Sequence, residues 1–478
     1  MSSLSENDNL EVSIPDVETF DKVTHYNIMV QLGKYSWKVT HRYSEFADLH
    51  DLLVSLHGLA SDLLPPKKII GNKDPMFIEK RKKDLELYLQ TVVSFMSVAI
   101  PEQLSEFLEL KYYEINFLLQ DMAKFFYSEG DRILQDNKFT EFNPLQLLAI
   151  SKQMQSPNPV AFAHQKEADF ANIVDFCSSV KRIIIKGSSG LYRSSNMKMN
   201  DLEFNLIVFK NVEEINIIDA SLNKIEKLGP VRGNIKRLKV HNSDIEALSE
   251  IVVCDSLYKE IEESMKEYVW TNLEELDLSF NSIEVIDNSV VLTPKLKFLN
   301  LKGNKLKNIG NFLVKLPKLV HLDLSKNYLI ELSDLHTKLG NIKTVDLSQN
   351  CLSSLDGLAK LYSVVFLNLS SNKICTISQV EPVCLLPCLE ELNLTGNPIT
   401  TIIDYRTKVL ELFGNRACEI CLDNERPTQK ELDKVAVLLA LKHAREGRLP
   451  SLTLNHPIPS TSFNVLLEKP DVATIAKE

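Results

Sequence analysis

Arg42, Tyr43, Lys67 and Arg81 are the residues of this chain whose types and order suit a definable chemistry. An arginine offers a planar fork of donors that matches a phosphate bidentately, while a lysine supplies a point charge. A tyrosine face covers an apolar ring face. The surrounding charge is concentrated rather than diffuse. Residues 1–120 carry 12 basic and 18 acidic side chains, yet Lys67, Lys68, Lys73, Lys80, Arg81, Lys82 and Lys83 face only Asp74 and Glu79 between Lys67 and Lys83. An acidic module with one basic face suits a specific anionic headgroup better than unspecific adhesion. Beside the basic loop, Ile69 and Ile70 either wedge into a membrane interface or pack beneath the loop.

These side chains need elements to hold them. HYNIMVQLGKYSWKVTHRYSEF predicts two strands, Tyr26 to Leu32 and Tyr35 to Thr40, around a Gly33-Lys34 turn. SEFADLHDLLVSLHG places Phe46, Leu49, Leu52, Leu53 and Leu56 at helical spacing, with Ser44 as expected N-cap. A loop, LLPPKKIIGNKDP, precedes a second amphipathic helix, MFIEKRKKDLELYLQTVVSFM. PEQLSEFLEL predicts a third, with proline in its first turn.

This order, with Arg42-Tyr43-Ser44-Glu45-Phe46, Leu64-Pro65-Pro66-Lys67, and Arg81 with Leu85 and Tyr88, resembles the PX (phox-homology) family over roughly residues 9–120. The resemblance implies a phosphoinositide-binding fold. Arg42 would grip the 3-phosphate of phosphatidylinositol 3-phosphate and Tyr43 would stack on the inositol. Lys67 would meet the 1-phosphate and Arg81 would bond the 4- and 5-hydroxyls. The family's common pair of arginines is His41-Arg42 in this chain.

The second half reads differently. One phrase recurs six times: LEELDLSFNSI, LKFLNLKGNKL, LVHLDLSKNYL, IKTVDLSQNCL, VVFLNLSSNKI and LEELNLTGNPI. Its asparagines stand at 281, 304, 327, 350, 372 and 397. The period and the L-x-x-L-x-L-x-x-N-x-L pattern identify leucine-rich repeats. Each strand sends its leucines inward, and the asparagine amide satisfies backbone groups where the chain bends. Degraded copies extend upstream through Val212, Ile215, Ile217 and Leu222, through Ile235, Leu238, Val240 and Ile245, and back to Val180, Ile183 and Ile185. An acidic, helix-like insert interrupts the array at 249–270, and PITTIIDYRTKVLELFG is read as a capping helix.

The expected fold is therefore multidomain α+β. A PX fold spans 9–120, a helical connector 121–175, a leucine-rich-repeat solenoid with its cap 176–424, and a helix with a disordered or docking tail 425–478. The repeats' outward positions form two columns. Asp277, Asn300, Asp323, Asp346, Asn368 and Asn393 make one; Glu275, Phe298, His321, Thr344, Phe366 and Glu391 flank it. Phe298 and Phe366, with His321 and Asp323, are candidate protein-partner anchors, because outward aromatics on an open strand are typical hot spots.

Composition bounds the rest. Net charge is −10, which argues against nucleic-acid binding. MSSLSENDNLEV is polar and acidic, without a signal-peptide pattern, and Val435 to Leu441 is too short to span a bilayer. Cys418-x-x-Cys421 lacks a second ligand pair and reads as cap residues in a reducing compartment. No P-loop, nucleophile elbow or metal-spaced set occurs, so neither an enzyme, a cofactor nor a metal is expected.

A PX module leading into this array resembles the nischarin (imidazoline receptor antisera-selected) family across residues 20–440, in HRYSEF, LLPPKKIIG, EKRKKDLELYL, LHTKLGNIKT, GLAKLYSVV, LPCLEEL and DYRTKVL. That resemblance implies a cytosolic adaptor, peripheral on early and recycling endosomes. It would engage integrin tails, Rac and Rab GTPases and p21-activated kinase, and restrain cell migration. Two readings compete: a regulatory subunit of an enzyme such as a phosphatase, docked through the array, and a structural array whose PX-like fold has lost its lipid.

Overall fold

A computed structural model describes residues 10–445 except 21–22, 34, 68–73, 97–99, 157–165, 190–197, 227 and 254–268. Ile69, Ile70, the middle of the insert and the tail beyond residue 445 lie outside the described residues.

Alternating apolar residues build an N-terminal antiparallel sheet of β1 (Leu10–Phe20), β2 (Val23–Leu32) and β3 (Tyr35–Arg42). Its register slips between Ser13 and Asp16, a bulge that accommodates Pro15. Three helices cover it: α1 (Tyr43–His57), α2 (Pro75–Phe95) and α3 (Glu102–Phe107). Ile28, Val30, Phe46, Leu53, Leu85 and Leu89 are buried between them. The start of α1 differs from expectation. Arg42, not Ser44, is its N-cap, because the Glu45 carboxylate turns back to accept the Arg42 amide at 3.0 Å.

α4 (Leu110–Asp136) follows, about 40 Å long. Leu110, Tyr113 and Phe117 near its start belong to the N-terminal core, while Ile115 and Leu119 on another face already enter the second. Tyr113 stacks on Trp37 at 4.9 Å and Phe117 on Tyr35 at 4.1 Å, and the Tyr35 hydroxyl donates to Asp121. Its second half enters the other core, where Phe126 stacks on Phe176 at 4.0 Å. One uninterrupted helix thus serves two hydrophobic cores.

The stretch read as a helical connector also supplies a strand. β4 (Thr140–Phe142), between α4 and α5 (Pro144–Gln155), pairs in parallel with β5 (Arg182–Lys186), which follows α6 (Phe170–Ser179). A small pair, β6 (Phe204–Asn205) and β8 (Ile225–Glu226), lies apart from the main sheet. The parallel sheet continues through β7 (Glu214–Ile218), β9 (Arg237–His241), β10 (Glu275–Asp277), β11 (Phe298–Asn300), β12 (His321–Asp323), β13 (Thr344–Asp346), β14 (Phe366–Asn368), β15 (Glu391–Asn393) and β16 (Cys421–Leu422). It has eleven strands in order along the chain.

The turn asparagines act as expected. Asn304 donates to the Leu278 and Leu301 carbonyls at 3.0 and 2.9 Å and accepts the Ile283 amide at 3.0 Å, so one side chain ties two coils. Asn327 and Asn350 repeat the pattern. At the far end, Val409 and Leu410 of the cap helix (Tyr405–Leu412) close the core, and a final helix (Gln429–Arg445) is clipped to it by an Arg406–Glu431 ion pair at 2.8 Å.

Candidate anion pocket and repeat surface

The corner between β3 and α1 presents Arg42 and Tyr43 on adjacent residues. Arg42 is exposed, with its Nε 3.4 Å from Glu45 Oε1. His41 holds the same carboxylate, its Nδ1 3.0 Å from Oε2, while its ring stacks on Phe107 at 3.9 Å. Burial opposes ionisation of Glu45. The Arg42 amide, His41 and the Arg42 charge together outweigh it and hold the carboxyl below its usual range.

Tyr43 leans inward. Its hydroxyl donates to the Pro65 carbonyl at 2.5 Å, and the Arg81 guanidinium lies 4.5 Å from its ring centre. The other face of Arg81 meets Phe77 at 4.3 Å. Arg81 is 7% exposed and donates to the Pro66 carbonyl at 3.3 Å. Burial disfavours ionisation of the Tyr26 hydroxyl, and the nearby Arg81 charge partly offsets it. Two aromatic faces and the Pro66 carbonyl therefore fix one buried cation, and Tyr43 on the Pro65 carbonyl helps tie down the loop that carries Lys67. Lys67 itself is exposed.

A guanidinium has five donors. Among the described residues, no carboxylate lies within 4.0 Å of that of Arg81. A buried cation without a counter-ion is costly, and an anion or a set of hydroxyls at this place would relieve it. The structure thus brings Tyr43, Arg81 and the Lys67 loop together and leaves Arg42 at the rim beside Glu45. Sequence reasoning missed Phe77 and Glu45. Phe77 stands four residues before Arg81 on α2, a spacing that puts both on one helix face.

On the solenoid, register aligns Phe298 with His321, His321 with Thr344, and Thr344 with Phe366. Phe298 and Phe366 therefore lie three strands apart, about 14 Å. Phe298 and His321 approach to 6.1 Å between ring centres. Burial and the neighbouring Lys343 hold His321 below the ordinary imidazole range, which leaves it neutral at pH 7. Asp323 Oδ1 accepts the Ser325 amide at 2.8 Å, and Asn368 donates to Asp346 at 2.9 Å, so much of the Asp/Asn column serves the sheet itself. Burial raises the Asp323 carboxyl above its ordinary value, and Asp346 adds to the rise. The N-terminal strands differ: Arg182 and Arg237 both engage Glu214, and Lys239 engages Glu275 at 2.9 Å. Charge pairs fill the outer face there, whereas β11, β12 and β14 present Phe298, His321 and Phe366.

Known proteins match in pieces. A family profile described as PX domain matches residues 31–111, and one described as Leucine rich repeat matches 271–329 and 317–374. A second repeat profile matches 386–402. The "PX domain-containing protein kinase-like protein" of Rattus norvegicus is 36% identical over 126 residues, covering 25% of this chain and 21% of its own length. "Sorting nexin-13" of Homo sapiens is 38% identical over 112 residues, covering 23% and 10%. Among solved structures, a designed CISK-PX domain is 38% identical, with a TM-score of 0.19, covering 20% of this chain and 97% of its own. The matching region spans about a fifth or less of these curated relatives. This chain joins a PX domain to a leucine-rich-repeat solenoid.

Proposed function

We propose that this chain is a peripheral membrane adaptor. Its PX domain reads phosphatidylinositol 3-phosphate and its repeats dock signalling proteins. The observation that carries the lipid half is Arg81, buried between Tyr43 and Phe77 without a carboxylate partner within 4.0 Å among the described residues. It lies beside the loop of Lys67 and next to the corner that carries Arg42. The relatives' names support the membrane reading, since a sorting nexin and a PX-containing protein share this part of the chain. No helix among the described residues is long and apolar enough to cross a membrane.

The protein half rests on Phe298, His321, Asp323 and Phe366 on the repeat strands. The resemblance to the nischarin family suggests integrin tails, Rac and Rab GTPases and p21-activated kinase as occupants, and a restraint on migration as outcome. In this reading the chain assembles proteins on early or recycling endosomes and performs no catalysis. The test is a tagged full chain in cells. Endosomal puncta should vanish with Arg42→Gln yet persist with Phe298→Ala/Phe366→Ala, while captured proteins should be lost only with the latter. Puncta that survive Arg42→Gln would refute the lipid half; capture that survives the double variant would refute the protein half.

A further inference from the structure

The edge of the solenoid where the strands turn away carries a feature that neither proposed surface uses. In all six repeats the residue before the turn asparagine has positive φ, between 54° and 72°. Glycine, lysine, glutamine or serine fills five of these positions. The first holds Phe280 at φ 58°, a conformation that disfavours bulky side chains and is retained where the surroundings impose it.

Its ring is not tucked away. Phe280 is 45% exposed. It lies across Gly303, where an added Cβ would come within 2.8 Å of the ring, and the Lys326 ammonium stands 5.9 Å from its centre. Two repeats on from Phe280, in the coil of Lys326, Tyr328 and Ile330 are 57% and 61% exposed. The backbone ladder ties both coils to the one between them: the Phe280 amide donates to the Lys302 carbonyl and the Tyr328 amide to the Leu306 carbonyl.

Four lysines border them: Lys302, Lys305, Lys307 and Lys326. Among the described residues, no carboxylate comes within 4.0 Å of any of their ammonium groups. The opposite, strand-entry edge is built otherwise, with Lys236 on Glu213 and Lys297 on Glu274, both at 2.9 Å. Carboxylates on these coils include Asp323, whose ionisation Lys302 assists, Glu284, and Glu331 beside Ile330. In a chain of net charge −10, this edge is a local reversal of sign.

We propose that the turn edge of the Asn281 to Asn327 coils docks an acidic protein segment carrying an apolar or aromatic anchor. Charge complementarity selects the acidic partner, and the held-open rings of Phe280 and Tyr328 receive the anchor. Glu284 on one side and Gln349 and Cys351 on the other set the four lysines apart as a group on two coils, with Lys373 the next in line two coils beyond Lys326. That footprint fits a short segment rather than a bilayer, which takes a broad basic face. The surface is distinct from the pocket at Arg81 and from the column of Phe298 and Phe366.

The experiment is fluorescence anisotropy on the full chain, probed with a labelled dodecapeptide of glutamates and aspartates around one central leucine or phenylalanine. Phe280→Asn suits the left-handed backbone, so it tests the ring while keeping the fold, checked by melting temperature. Binding should weaken about tenfold in Phe280→Asn and again in Lys305→Glu/Lys326→Glu. It should stay unchanged in Phe298→Ala/Phe366→Ala and in Arg42→Gln, and fall with salt. No binding by the native chain, or equal binding by the native chain and Lys305→Glu/Lys326→Glu, overturns the proposal. So does capture of phosphatidylserine vesicles by Arg42→Gln that is lost in the added Lys305→Glu/Lys326→Glu, which would assign the edge to membrane.

Discussion

Arg42 and Glu45 stand 3.4 Å apart, so the guanidinium at the rim of the pocket already holds a carboxylate. On the proposed function, an incoming phosphate would compete with it. Glu45→Gln removes the charge yet keeps an oxygen for the Arg42 amide, so the start of α1 survives. Exposed pairs of this kind contribute about 0.2–1 kcal/mol. The variant should bind phosphatidylinositol 3-phosphate vesicles up to about fivefold more tightly, measured by flotation at fixed salt. Weaker binding would mean that Glu45 organises the pocket instead of competing in it.

The clamp around Arg81 predicts a different pattern. Arg81→Lys keeps the charge but loses the planar fork that lies between Tyr43 and Phe77. Phe77→Ala keeps the guanidinium but frees one face. Both should weaken vesicle binding by about tenfold or more, Arg81→Lys the more severely. Near-native affinity for Arg81→Lys would show that only charge matters here.

Repeat strands and asparagine ladders were legible in sequence because a fixed period over six units leaves one register. Arg42, Tyr43, Lys67 and Arg81 stood out in sequence by type and order, and the structure brings Tyr43, Arg81 and the Lys67 loop together. Other features were not. Ser44 looked like an N-cap by type, but capping is decided by which carboxylate can fold back, and Glu45 reaches Arg42. β4 is three residues long between two helices, too short for alternation to register, and joins the sheet only through β5. The double duty of α4 is a tertiary fact: Tyr113, Phe117 and Asp121 form an ordinary helical stripe until β3 is placed against it. Phe77 was hidden by the charged residues around it, which read as a solvated face.

Packing predicts that Gly357 resists replacement. A Cβ on Gly357 would fall 1.4 Å from the Leu332 carbonyl oxygen of the preceding coil, so backbone must move. Gly357→Ala should lower stability by about 1–3 kcal/mol or more. Gly340→Ala is its control, because a Cβ there meets nothing within 4 Å. Paired urea titrations decide; similar midpoints for the two variants would contradict the stacking described.

The C-terminal cap predicts a response to acid. Burial works against the charge of Glu431, but the Thr428 amide and hydroxyl and the Arg406 guanidinium prevail and hold its carboxyl below its ordinary 4.5. Its folded value is the depressed one. The stabilisation is therefore complete above pH 4.5 and is lost as pH falls through the lower folded value. The cap of native protein should loosen on acidification in that window. Glu431→Gln should be weaker at neutral pH and show a smaller further loss, followed by hydrogen exchange at the Gln429–Arg445 helix.

The central claim is a pocket for one inositide, and vesicle co-sedimentation of the purified full chain tests it most directly. Native protein should pellet with vesicles containing phosphatidylinositol 3-phosphate and not with those containing unphosphorylated phosphatidylinositol, and Arg42→Gln should remain in solution with both. Native protein that ignores the phosphorylated lipid, or an Arg42→Gln variant that still pellets with it, would contradict the account.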